Sequence, residues 1–188
     1  MMAKPLMLMT LGLTLALAAC GNAPRYLIDP PASQMRLTTA ARTIMLRDVS
    51  LPEYAAASEI ALQEDGGAVK NARRALWADL PERSLTLALA RQLDAALSAT
   101  VAAEPWPLAG LPDAEIEVRV QQSLAGADNI FRLEGQYYVR AEAVNAGPAS
   151  APFAIAVPMA GTDPQDIAAA QSAAIAELAT IIARGVGR

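Results

Sequence analysis

The run Glu115-Ile116-Glu117-Val118-Arg119-Val120 carries the clearest alternation in the chain, with Ile116, Val118 and Val120 on one side and Glu115, Glu117 and Arg119 on the other. Successive side chains of an extended strand point to opposite faces, so this period of two describes a strand with one face on a core and one in water. An antiparallel sheet tolerates a wet face, whereas parallel sheets are covered on both. The phase is lost at Gln121-Gln122, as a β-bulge would cause, and Gly126-Ala127-Asp128-Asn129 supplies a turn. The next strand pairs back. In it Phe131, Leu133, Tyr137 and Val139 share one face, Arg132, Glu134, Gln136, Tyr138 and Arg140 share the other, and Gly135 interrupts the pattern. Asn145 to Pro148 turns the chain again, and Phe153, Ile155 and Val157 make a third strand closed by Pro158.

Two helical periodicities flank these strands. Upstream, Leu85, Leu89, Leu93 and Leu97 recur every four residues beside Ala88 and Ala96, with Arg83, Arg91, Asp94 and Ser98 on the other side. Asp79, Pro81 and Glu82 mark the start, and an amphipathic helix of about 20 residues is expected. Downstream, Asp163 and Pro164 open a second helix, whose buried side is Ile167, Ala174, Leu178, Ile181 and Ile182 and whose end is marked by Gly185 and Gly187. Before the first helix lie an apolar strand at Thr43 to Leu51, broken by Pro52 and Tyr54, and an alternating strand at Ser58 to Gln63. A turn at Asp65-Gly66-Gly67 and a return strand at Ala68 to Arg73 follow. The order is three strands and a helix, twice over. It predicts an α+β fold, an antiparallel sheet with two amphipathic helices packed on one face.

At the amino terminus, Lys4 precedes an apolar run from Leu6 to Ala19 that has the length of a signal-peptide core and is too short to span a bilayer. It ends in Leu17-Ala18-Ala19-Cys20, which resembles the bacterial lipobox, where the cysteine thiol is acylated and becomes the mature first residue. Cys20 is the sole cysteine, so no disulfide explains its position. The alternative is an ordinary signal cleaved elsewhere, with a free thiol left over. Several acyl chains would bury dozens of methylenes at about 0.8 kcal/mol each, far beyond the marginal hold of one chain. The expected organisation is a signal peptide over residues 1–19, a lipidated N-terminus and tether over 20–41 with Tyr26 to Ile28 able to dock as an edge strand, and one domain over 42–188.

Composition narrows the chemistry. Removing the signal with its one lysine takes 15 basic residues to 14 against 19 acidic ones, a net charge of −5. Nucleic acid, bound mainly through phosphate neutralisation, is not an expected partner. The chain has no histidine, the residue that supplies most general bases and most catalytic zinc ligands. Ser84, Ser123 and Ser172 lack the surroundings of a nucleophile, and Lys70 beside Gly66-Gly67 lacks phosphate-loop spacing. Glu115 and Glu117 share a strand face as a glycosidase pair would, but with Arg119 beside them they read as members of cross-strand pairs on a wet face, together with Glu134, Arg140 and Glu142. No catalytic residue, metal site or cofactor is expected. Lys70, Arg73 and Arg74 form a small basic cluster that suits a solvated edge or anionic headgroups, at least one of Trp77 and Trp106 is expected in the core, and Trp106 between Pro105 and Pro107 is a candidate contact residue.

The stretch from Leu46 to Leu97 resembles the PqiC-type ABC-transport auxiliary lipoproteins. The resemblance rests on Leu51-Pro52-Glu53-Tyr54 after a buried strand, Glu59-Ile60-Ala61-Leu62, Trp77-Ala78-Asp79-Leu80-Pro81 opening a leucine-rich helix, and Tyr26-Leu27-Ile28-Asp29-Pro30 after the lipobox-like sequence. Ala55-Ala56-Ala57-Ser58 departs from the arginine-proline usual after that tyrosine. The resemblance implies a non-catalytic, palmitate-carrying outer-membrane lipoprotein facing the periplasm and forming a homo-oligomer. It would work with an inner-membrane MCE-domain protein, permease and ATPase that move lipid. Gly21 stands where an aspartate commonly retains such proteins at the inner membrane, which favours outer-membrane sorting. A structural or assembly-factor lipoprotein of the envelope is the alternative.

Overall fold

The alternating run lies inside strand β6 (Ala114–Ala125), and this strand is paired along both edges. The computed structural model describes residues 23–141 and 149–187. On one edge β7 (Ile130–Ala141) runs antiparallel from Ala114 opposite Ala141 to Ala125 opposite Phe131, with the register shift between Val120 and Gln122 where the alternation is lost. The turn between them holds Asn129 at a φ of 58°, a left-handed conformation that asparagine tolerates. Strand β8 (Ala149–Pro158) then pairs antiparallel with β7 and forms the outer edge.

The other edge of β6 is filled by chain from earlier in the sequence. β2 (Thr43–Leu46) lies parallel to its start, Ser50 bridges to Arg119, and β3 (Glu59–Gln63) reaches Ala125 through Leu62. A one-turn helix, α1 (Glu53–Ala56), sits between, and its Tyr54 hydroxyl accepts the Ser123 N–H at 3.2 Å. Outside β2 lies β5 (Thr100–Ala103), parallel to it. Outside β3 lies β4 (Val69–Trp77), antiparallel, with β1 (Arg25–Tyr26) parallel to β4. The α+β class and the helix-covered face are as the patterning predicts. The parallel pairings are an addition, because alternation within a strand says which face is buried and not which strand lies beside it.

Helices α2 (Pro81–Ala96) and α3 (Pro164–Val186) pack on one face of the sheet and on each other. Leu85, Leu89 and Leu93 of α2 and Ala174, Ile175, Leu178 and Ile182 of α3 are buried, and they meet Ile116, Val118, Leu133 and Ile155 from the strands. The first helix is shorter than its leucine repeat suggests: it stops at Ala96, and Leu97 continues the buried stripe in extended backbone, leading into β5. Helix α3 is long and apolar enough to cross a membrane by length and composition, with a mean hydropathy of 1.3 over its most apolar stretch. Of that stretch 61% is buried in the body, so the apolarity is spent on the core.

Two glycines mark close approach. Gly135 faces inward on β7 opposite Phe153, and a Cβ there would collide with the Arg119 carbonyl oxygen. Gly185, expected to end α3, lies within it, and a Cβ there would strike the Tyr137 hydroxyl. Prolines manage the outer edge. The Met159 N–H donates to the Asn129 carbonyl at 2.8 Å, which sets the alternation of the β7–β8 ladder and turns the backbone nitrogens of Pro152 and Pro158 outward, where no ladder donor is needed. An edge short of N–H groups is a poor template for another strand.

Candidate functional site

The segment from Pro24 to Ala41 corrects the expectation of a tether over 20–41: it is a strap docked on the body. Its first residues form β1, where the Ala78 N–H donates to the Tyr26 carbonyl at 2.8 Å and the Leu76 N–H to the Pro24 carbonyl at 3.1 Å. The strap then crosses the two long helices. Ile28 is buried, the Asp29 N–H donates to Ser172 Oγ of α3 at 3.1 Å, and Gln92 of α2 donates from Nε2 to the Pro30 and Pro31 carbonyls at 3.3 and 2.9 Å. Asp29 also pairs with Arg91 at 2.8 Å. Further on, the Leu37 N–H takes the Ala96 carbonyl at the end of α2 at 2.7 Å, and Ala41 is buried just before β2. The docking at Tyr26 to Ile28 follows from its apolar residues. The rest follows from Gln92 and Ser172, buried polar groups on apolar helix faces that require partners and find them in the strap. Those two inward polar residues were the missed sequence signal. Cys20, at the head of this segment, lies outside the described residues.

The wet face of the sheet holds the carboxylates that chemistry would need; Glu115 and Glu117 are each engaged by an arginine, while Glu134 stands opposite Gln122 and Ala154 and takes part in no ion pair among the described residues. Glu115 and Arg140 are cross-strand partners at 3.0 Å. Glu117 binds Arg119 along its own strand at 2.6 Å, and the Arg119 guanidinium stands 5.2 Å from the centre of the Tyr138 ring. Arg119 is held above the usual guanidinium range by its hydrogen bond to Glu117. A groove of about 280 Å³ runs among Glu115, Glu117, Tyr138 and Arg140 with Arg47 beside them. Paired, solvated and side by side, these carboxylates resemble a surface ladder of cross-strand and same-strand ion pairs. Glu142 lies outside the described residues.

Other candidates resolve into structural roles. Ser172 Oγ donates to the Ala168 carbonyl at 2.8 Å while accepting from the strap, Ser123 is buried in β6, and Ser84 lies on α2 with its N–H on the Leu80 carbonyl at 2.9 Å. Lys70 pairs with Glu64 at 2.6 Å beside Asp65 and Gly66-Gly67, an acidic setting unlike a phosphate loop. Trp77 is in the core. Trp106 is half-buried, and its indole nitrogen is enclosed with no hydrogen-bond partner among the described residues. Asp113 clamps the start of β2: its Oδ2 accepts the Arg42 and Thr43 N–H groups at 2.8 and 3.1 Å, and the Arg42 bond foremost holds its carboxyl below the usual range. Among the described residues, no three histidine, cysteine, aspartate or glutamate side chains are grouped to hold a metal.

Solved structures share this architecture. An uncharacterized protein superposes with a TM-score of 0.67 at 18% identity, over 83% of this chain and 97% of its own. Protein XCC0632 from Xanthomonas campestris, of family DUF330, does so with a TM-score of 0.66 at 16% identity, over 86% and 93%. No curated protein matches. The sequence model of the ABC-type transport auxiliary lipoprotein component matches residues 26–183, from the Tyr26 that opens the docked strap to the last buried turn of α3. The chain therefore belongs to the ABC-type transport auxiliary lipoprotein family, that of the PqiC-type lipoproteins.

Proposed function

We propose that the protein is the non-catalytic outer-membrane lipoprotein component of an MCE-type ABC system that moves lipid across the periplasm and contributes to envelope integrity. In this reading Cys20 carries the acyl anchor, the body faces the periplasm as a homo-oligomer, and an MCE-domain protein of the inner-membrane transporter is its partner. The family match over residues 26–183 carries the reading. Two features support it. The lipobox-like sequence ends three residues before the docked strap, and Glu115 and Glu117 of the wet face are each paired with an arginine rather than set apart as acid and base.

Affinity purification of the tagged full chain from detergent-solubilised envelopes tests the partner. Co-purification of an MCE-domain protein with its permease and ATPase is the expected result. Recovery of an outer-membrane or cell-wall protein in their place overturns it in favour of a structural or assembly role.

A further inference from the structure

The docked strap fixes where the chain leaves the body, and the residues around that point share a chemistry. Resting on the reading that Cys20 is acylated, we propose that the corner formed by Arg25, Arg74, Leu27 and Leu80 lies directly on the bilayer holding the anchor, against anionic phospholipid headgroups. Three residues separate Cys20 from Pro24. Fully extended, they let Pro24 stand no more than about 14 Å from the anchor, at roughly 3.5 Å per residue. A body tied that closely touches the membrane with the part nearest the tie.

That part is basic and apolar. β1 lies parallel to β4 with Arg25 opposite Leu76, and Arg74, two residues before Leu76, is exposed in the stretch of β4 where its register with β3 shifts. Arg25 and Arg74 are exposed, while Ala75 and Trp77, on the alternate positions, are buried under the helices. Arg25 is steadied by a 3.2 Å bond from Nη1 to the Trp77 carbonyl. Neither arginine takes part in an ion pair among the described residues; Asp79 pairs with Arg83, Asp29, two residues after Leu27, pairs with Arg91, and Glu59 lies across Leu76 in the next strand. Leu27 and Leu80 are 70% and 61% exposed, and they follow by one and two residues the point where the Ala78 N–H donates to the Tyr26 carbonyl. Exposed leucines flanked by arginines are the composition of an interfacial membrane contact. Each basic residue near an anionic surface contributes about 1 kcal/mol.

The acylated full chain, reconstituted into phosphatidylcholine vesicles with or without phosphatidylglycerol, tests this. With the Cys20 thiol consumed, single cysteines at Leu27, at Leu80 and at Leu111, beyond the opposite end of β6, take a fluorophore that spin-labelled lipids quench. Probes at Leu27 and Leu80 are expected to be quenched several-fold more than the probe at Leu111. The difference should grow with phosphatidylglycerol. The paired substitutions Arg25→Glu and Arg74→Glu should reduce the equilibrium constant for apposition on anionic vesicles by roughly thirtyfold or more and leave flotation unchanged. Equal quenching at all three positions in floating vesicles overturns the contact while leaving the anchor intact. A chain that does not float overturns the anchor, and the contact with it.

Discussion

The two halves of the molecule have the same inventory, strands followed by a long helix, but they are assembled differently. From Ala114 onward, β6, β7, β8 and α3 follow one another in space as in sequence, with strands of ten to twelve residues; the turn expected at Asn145 to Pro148 lies outside the described residues. Before Ala114 the strands are shorter, from two to nine residues. β2 has four residues and is held between β5 and β6 by parallel pairings to chain 57 to 70 residues away, and β1 has two residues laid on β4. The second half is stabilised by local ladders. The first is completed by segments that arrive from elsewhere, the strap foremost, and the difference locates where the fold is strong and where it is conditional.

Removing what both halves share should cost most. Ile116 is fully buried on β6, between β2 and β7, and Ile116→Ala is expected to lose about 2–5 kcal/mol in denaturant unfolding, in one cooperative transition. Two separated transitions would mean that the halves are independent. Gly135→Ala attacks only the second half: the added methyl meets the Arg119 carbonyl and the Phe153 ring, and a loss of about 1–3 kcal/mol is expected from overpacking.

Much of the second half was legible because its strands pair with their sequence neighbours, so the alternation along each strand and the order of the strands define the pairings. The lost phase at Gln121-Gln122 is a register shift, and Gly135 is a packing requirement at the residue opposite Val120. The first half was less legible for a physical reason. Thr100-Val101-Ala102-Ala103 continues an alanine-rich helical composition, and only the presence of β2 beside it, 57 residues earlier in the chain, makes it a strand. Likewise Pro24, Pro30 and Pro31 read as a loose tether, because the groups that hold it, Gln92 and Ser172, lie on helices far along the chain. No arrangement of catalytic groups was expected. As for the proposed anchor, Cys20 rests on local sequence alone, since it lies outside the described residues.

The strap can be loosened by itself. Ile28→Ala removes its buried side chain and is expected to cost roughly 1–2 kcal/mol. Hydrogen exchange should accelerate at the Leu76 and Ala78 amides, which donate to Pro24 and Tyr26, while the β6–β7 amides keep their protection. Equal acceleration in both places would show that the strap is part of one cooperative unit. The smallest effect is expected at Asp113. Its carboxyl is depressed by the Arg42 and Thr43 amides, so its contribution is full above the unfolded value of about 3.9 and is lost as pH falls through the folded value. Asp113→Asn should lower thermal stability slightly at neutral pH and flatten the decline on acidification below about pH 4. An unchanged acid limb would remove that clamp from the account.

The central claim is that this domain is held at a membrane by Cys20 and works there. Metabolic labelling with palmitate, followed by separation of inner and outer membranes, tests it most directly. The account predicts label on the wild-type chain in outer-membrane fractions and none on Cys20→Ala. Label retained by the variant, or wild-type protein confined to the inner membrane, would contradict it.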